Sequence, residues 1–123
     1  MDLNKVQIIG RIVKDVELRQ TPNGQNVTTL SIATNRNWTD GSGNKQEQVE
    51  FHSVVLWSKL AEIAGQYLSK GKKVYIEGRL QTTSYEKDGD KRYKTEIVGE
   101  NMIMFDSQDT QTTQKDETSD MPF

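Results

Sequence analysis

An all-β barrel of five strands in Greek-key order, with one short helix between the third and fourth strands, is the fold this sequence predicts. Three observations predict it. The stretch from Val49 to Leu80 reads as strand, helix, strand, because alternating apolar residues give way to a run with helical spacing and then alternate again. Further alternating runs stand on either side, punctuated by Pro22-Asn23-Gly24 and Asp88-Gly89, the residue types that join antiparallel strands. At 123 residues the chain holds one core, and its 33% hydrophobic content is uneven, since the last eighteen residues carry almost none. A lone helix between strands three and four of five is the pattern of the OB-fold.

In chain order, Val6, Ile8, Gly10 and Ile12 share one face of a first strand, with Ile9 and Val13 near the other. This strand is expected to bend at Gly10 and continue through Val16 and Leu18. Thr21-Pro22-Asn23-Gly24 then turns the chain, because Pro presets its own φ and Asn-Gly tolerates positive φ. Strand two carries Val27, Leu30, Ile32 and Ala33 and runs out to Trp38, and Thr39 to Asn44 is a flexible loop. Strand three places Val49, Phe51, Ser53, Val55 and Trp57 on one face and Glu50, His52, Val54 and Leu56 on the other, so neither face is purely for solvent.

Ser58 stands where an N-cap belongs, and Leu60, Ile63, Ala64, Tyr67 and Leu68 recur at helical spacing until Gly71, which suits a C′ position. In strand four Val74, Ile76, Gly78 and Leu80 alternate with Tyr75, Glu77 and Arg79, and Gly78 permits a close backbone approach. Thr82 to Tyr85 carries this strand outward to a tip at Lys87-Asp88-Gly89-Asp90. Strand five runs from Arg92 to about Val98, and Met102 to Phe105 form a short closing strand. From Asp106 onward Ser, Gln, Thr and Asp dominate, a composition that predicts a disordered tail. The domain division is therefore 1–105 for the barrel and 106–123 for the tail.

A net charge of −2 conceals an asymmetry, since residues 1–105 carry +2 and residues 106–123 carry −4. A slightly basic body with an acidic tail fits a binding domain with an interaction tail. The absence of cysteine excludes disulfides and thiolate metal sites and fits a reducing compartment. No apolar run approaches a membrane span and the N-terminus shows no signal or transit segment, so a soluble cytoplasmic protein is expected, with no membrane partner. His52 is the only histidine, and without a second His or a Cys it reads as a packed residue rather than a metal ligand. The carboxylates Glu47, Glu50, Glu77 and Glu96 alternate along strands without metal-ligand spacing. No catalytic residue, metal or cofactor is therefore expected.

Sequence-tolerant binding of a single strand needs aromatic planes for bases and cations for phosphates. Trp38, Phe51, Trp57 and Tyr85 fall near strand ends and loop roots, interleaved with Arg36, Lys59, Lys70, Lys72 and Arg79. These are the candidate binding residues. A competing reading makes each aromatic an ordinary core or rim residue, most plausibly Phe51.

The sequence resembles the bacterial-type single-stranded DNA-binding proteins. The resemblance is carried by Asn4-Lys5-Val6 with Gly10, Leu18-Arg19, Pro22-Asn23-Gly24, Leu30-Ser31-Ile32-Ala33-Thr34 and Glu50-Phe51-His52 with Val54-Val55-Leu56. It continues through Lys59-Leu60-Ala61-Glu62, Tyr67-Leu68, Lys70-Gly71, Val74-Tyr75-Ile76-Glu77-Gly78 and the final Met121-Pro122-Phe123. It implies a non-enzymatic homotetramer that coats single-stranded DNA in replication, recombination and repair, in the cytoplasm with the nucleoid. It implies that Trp38, Phe51, Trp57 and Tyr85 stack bases and that Arg19, Lys59 and Lys70 contact the backbone. By the same resemblance His52 and Tyr75 lie in the subunit contact, and Asp120, Met121, Pro122 and Phe123 recruit replication and repair enzymes. The chain departs from the family at Phe51 and Tyr85, where Trp is frequent, and at Gln81, Thr83 and Ser84, where relatives are often basic. An accessory primosomal or phage OB-fold protein with weak DNA binding is the alternative reading.

Overall fold

The computed structural model describes residues 1–105. The chain runs β1 (Val6–Ile12), β2 (Arg19–Gln20), β3 (Asn26–Thr39), β4 (Lys45–Trp57), α1 (Ser58–Tyr67), β5 (Lys73–Lys87) and β6 (Asp90–Met104). Sheet order is β1-β5-β6-β4-β3-β2, and β1 also pairs with β3, which closes five strands into a barrel. β4 and β6 pair in parallel through Val54↔Ile97 and Val55↔Val98, while the other ladders are antiparallel. This is the OB-fold expected from the strand-helix-strand pattern. The expected tail, 106–123, lies outside the described residues.

Alternation sets the two sides of the barrel wall. Ile12, Leu30, Ile32, Val54, Leu56, Val74 and Ile76 are essentially sealed inside, each contributing on the order of 1.5–3 kcal/mol for a fully buried aliphatic side chain. Ala61 and Ala64 of α1 are also sealed, and their small side chains let the helix sit close against β3 and β4. Closure brings β1 tightly onto β3 at Gly10, where a Cβ would lie 2.7 Å from Ile32 Cγ2. A larger residue there would push two core strands apart.

Four local expectations are corrected. Ser58 is not the N-cap: Trp57 holds that position in extended conformation with no side-chain cap, and Ser58 is the first helical residue at φ 54. With no loop between β4 and α1, the reversal is made by one left-handed residue. Gly71 is not at C′ either, since α1 ends at Tyr67 with Leu68 as its C-cap, whose N–H donates to the Ala64 carbonyl at 2.9 Å. Gly71 stands three residues beyond with φ 96, and its N–H donates to the Ile12 carbonyl at 2.7 Å, docking the connection onto β1. The first strand stops at Ile12, and the chain re-enters the sheet only at the two-residue β2, joined to β3 through the Pro22-Asn23-Gly24 turn. Finally, Arg92–Val98 and Met102–Phe105 are not separate strands. β6 runs unbroken from Asp90 to Met104, with a register slip opposite Glu77 and Gly78 that leaves Glu100 as the extra residue of a bulge.

Two hairpins extend beyond the barrel as arms. The β3–β4 arm ends in the Asp40–Asn44 loop, where the Asp40 carboxylate accepts from the Ser42 and Asn44 N–H groups, each at 2.9 Å. Those backbone donors, Asn44 first, hold the Asp40 carboxyl below its ordinary pKa. The β5–β6 arm ends in a two-residue turn at Asp88 (φ 54) and Gly89 (φ 80), the positive pair of a type I′ hairpin.

Candidate nucleic-acid interface

β3 and β4 pair without a register break from Val27↔Trp57 to Thr39↔Lys45, so side chains alternate strictly between inside and outside. Val54 and Leu56 point inward, which puts Phe51, Ser53, Val55 and Trp57 outward. Phe51 is 67% exposed in the middle of a strand, and Trp57 is also exposed. Phe51 pairs with Ala33, Ala33 with Arg11, and Arg11 with Lys73, so one outward row crosses four strands. At about 4.8 Å between neighbouring strands, two cations stand within roughly 15 Å of the Phe51 ring. Arg11 and Lys73 are absent from the sequence-derived candidates, because each alternates with apolar residues in its own strand and reads as an ordinary solvated position.

Other candidates join this outer surface. Arg19 Nη2 donates to Thr29 Oγ1 at 3.3 Å, and Thr29 pairs with the outward Val55. Arg79 follows in the same row through Val98, with its Nε 4.0 Å from Glu100. Along β5 the same parity carries outward through Gln81 and Thr83 to Tyr85, which is exposed and pairs with Arg92. The uncharged Thr83 faces Lys94, but Lys94 is held by Glu96 at 3.3 Å. Among the described residues Arg92 makes no ion pair.

Trp38 is placed differently. It shares the inward parity of Thr34 and Arg36, so on the β3–β4 arm it projects from the opposite side to Phe51. The Arg36 guanidinium lies 4.6 Å from its ring centroid, a cation–π stack. A cleft of about 520 Å³ lined by Asn37, Trp38, Thr39 and Lys45 to Glu47 opens beside it. Lys59 is exposed in the first turn of α1, two residues after Trp57, while Lys70 and Lys72 sit in the turn onto which Arg11 Nη1 donates at the Gly71 carbonyl, 3.2 Å.

His52 and Tyr75 are not brought together. His52 is half-buried on the inward side of β4, with Nε2 2.9 Å from Thr34 Oγ1. Tyr75 is on the outward side of β5, in one row with Ile9 and Ile103. Its hydroxyl donates to Glu77 Oε2 at 2.9 Å, and Gln7, Asn101 and Lys5 complete a shell around that carboxylate. The bond from Asn101, then that from Tyr75, lowers the Glu77 pKa to about 2. No group of three or more His, Cys, Asp or Glu capable of holding a metal occurs among the described residues. No described helix is long and apolar enough to cross a membrane. Asp120, Met121, Pro122 and Phe123 lie outside the described residues.

A closed Greek-key barrel with exposed aromatics and cations along one outer surface and two arms defines an OB-fold of the binding kind. The model of the single-strand binding protein family matches residues 3–105, and the chain belongs to that family. It is 51% identical over 110 residues to single-stranded DNA-binding protein 1 of Chlorobaculum tepidum, covering 88% of this chain and 68% of that protein. It is 49% identical over 105 residues to the single-stranded DNA-binding protein of Neisseria meningitidis serogroup A, covering 85% of this chain and 60% of that one. The chain thus spans 60 to 68% of the length of these curated relatives. Among solved structures, a Plasmodium falciparum SSB complex with ssDNA superposes with a TM-score of 0.80 at 28% identity, covering 86% of this chain and 97% of that one. The wild-type single-stranded DNA binding protein from Thermus aquaticus gives 0.76 at 33% identity, covering 86% and 52%.

Proposed function

We propose that this chain binds single-stranded DNA with little sequence preference, stacking bases on Phe51, Trp57 and Tyr85 and tracking phosphates with Arg11, Arg19, Lys59, Lys73 and Arg79. The observation that carries this reading is Phe51, a large ring left 67% exposed at mid-strand with Arg11 two strands away in its row. Trp38, with Arg36, adds a platform on the β3–β4 arm, and Lys70 and Lys72 extend the cation track. Residues 1–105 are the binding and self-association unit, and the assembly is a homotetramer with Tyr75 and His52 in subunit contacts. Residues 106–123 are an acidic segment whose Asp120-Met121-Pro122-Phe123 docks replication and repair enzymes. The protein coats and protects the strand and is not an enzyme; its free energy of binding comes from stacking and counterion release.

Polythymidine added to the protein should quench the emission of Trp38 and Trp57, the only two tryptophans. The midpoint should move to weaker binding as salt rises, by a log–log slope of about −0.7 per phosphate neutralised. Absence of quenching at low salt would refute the proposal.

A further inference from the structure

The β5–β6 arm carries a second aromatic that the interface above does not use. Tyr93 is 67% exposed, and the unbroken register of the arm pairs it with Ser84. Tyr85 pairs with Arg92, one position further out, so the two tyrosines project from opposite faces of the same two-stranded ribbon. Nothing large covers the Tyr93 ring from beside it. Its cross-strand partner is Ser84, and the next pair inward on that face is Thr82 and Thr95, whose hydroxyls bond each other at 2.8 Å. The next pair outward is Glu86 and Lys91, and Lys91 Nζ lies 5.8 Å from the Tyr93 ring centroid. Among the described residues Lys91, like Arg92, makes no ion pair. Each face of the arm therefore presents one ring and one uncommitted cation.

We propose that Tyr93 and Lys91 form a second nucleotide site on the reverse face of the β5–β6 arm. A single strand leaving the outer surface at Tyr85 passes round the arm and stacks a further base on Tyr93, with its phosphate beside Lys91. This rests on the single-strand reading and extends it, because it makes the arm a post that the strand turns around rather than one wall of a groove. The site is sequence-tolerant for the same reason as the others, since every base has a π-face.

The test titrates full-length wild type, Tyr93→Ser and Tyr93→Phe with oligothymidines of about 4 and about 16 nucleotides, the span one such barrel occupies. Emission from Trp38 and Trp57 is the readout, and light scattering is run alongside. Tyr93→Ser should bind the long strand about 5- to 150-fold more weakly, the fold-change of one lost stacked base. It should bind the short strand unchanged, and Tyr93→Phe should restore long-strand affinity. Unchanged long-strand affinity with quenching retained overturns the second site and leaves the proposed function standing, whereas wild type that never quenches overturns that function itself. Equal losses at both lengths, or an altered mass for Tyr93→Ser, would make the ring part of the primary surface or a subunit contact and also overturn the site.

Discussion

Asn101 Nδ2 donates to Glu77 Oε1 at 2.9 Å across the point where β5 and β6 slip register. The bulge residue that frees Asn101 to reach Glu77 thus anchors a carboxylate that also receives Tyr75 and Gln7 and faces Lys5 at 3.4 Å. A surface glutamate with this many donors is held ionised. Its pKa falls from the ordinary 4.5 to about 2, chiefly through Asn101.

A depressed carboxyl pKa contributes stability that is present above the unfolded value and lost as pH falls through the folded one. The Glu77 contribution should therefore be complete at neutral pH and drain away between about pH 4.5 and pH 2. Urea midpoints measured across that window should fall more steeply for wild type than for Glu77→Gln, which has no charge to lose. Parallel curves would assign the acid sensitivity to other carboxylates.

Phe51 is exposed, so truncating it leaves no cavity and should hardly move the unfolding midpoint. Phe51→Ala should nevertheless lose about 1–3 kcal/mol of polythymidine affinity, the worth of one stacked base. Arg11→Ala should change affinity differently, making the log–log salt slope shallower by about 0.7 if it neutralises one phosphate. A Phe51→Ala protein that bound as wild type would remove the central platform from the interface.

Where a single strand decides the geometry, the sequence was sufficient. The two faces of β4 were legible because the alternation from Val49 to Trp57 is uninterrupted and the pairing register never slips. Where geometry depends on which distant strands meet, it was not. The row from Phe51 through Ala33 and Arg11 to Lys73 draws on four strands, and no local pattern places those residues side by side. Gly99-Glu100-Asn101 reads as a break between strands, yet the backbone absorbs one extra residue there and the ladder resumes. Ser58 has the chemistry of an N-cap, but β4 runs directly into α1 and the site needs a left-handed residue instead. Nothing local distinguishes Tyr93, because its significance lies in being out of phase with Tyr85, which only the register reveals.

Ile9, Tyr75 and Ile103 form one row across β1, β5 and β6 on the outward side of the barrel. Ile9 is 50% and Ile103 57% exposed, so two large aliphatic residues flank a tyrosine with no other part of the described chain covering them. A depression of about 350 Å³ lined by Gln7, Ile8, Ile9 and Tyr75 lies in the same place, rimmed by the ordered polar shell of Glu77. An apolar centre with a polar rim is the build of a subunit contact. In the proposed tetramer this face meets its copy, and Ile9→Asp would set a carboxylate into that centre with no partner to offset its desolvation. Light scattering of wild type should return four times the 14.0 kDa chain mass, and Ile9→Asp a smaller assembly with its β-sheet circular dichroism intact. A wild-type monomer at micromolar concentration would refute the assembly. A full-sized Ile9→Asp assembly would move the contact away from this row, toward the side of the wall where His52 stands.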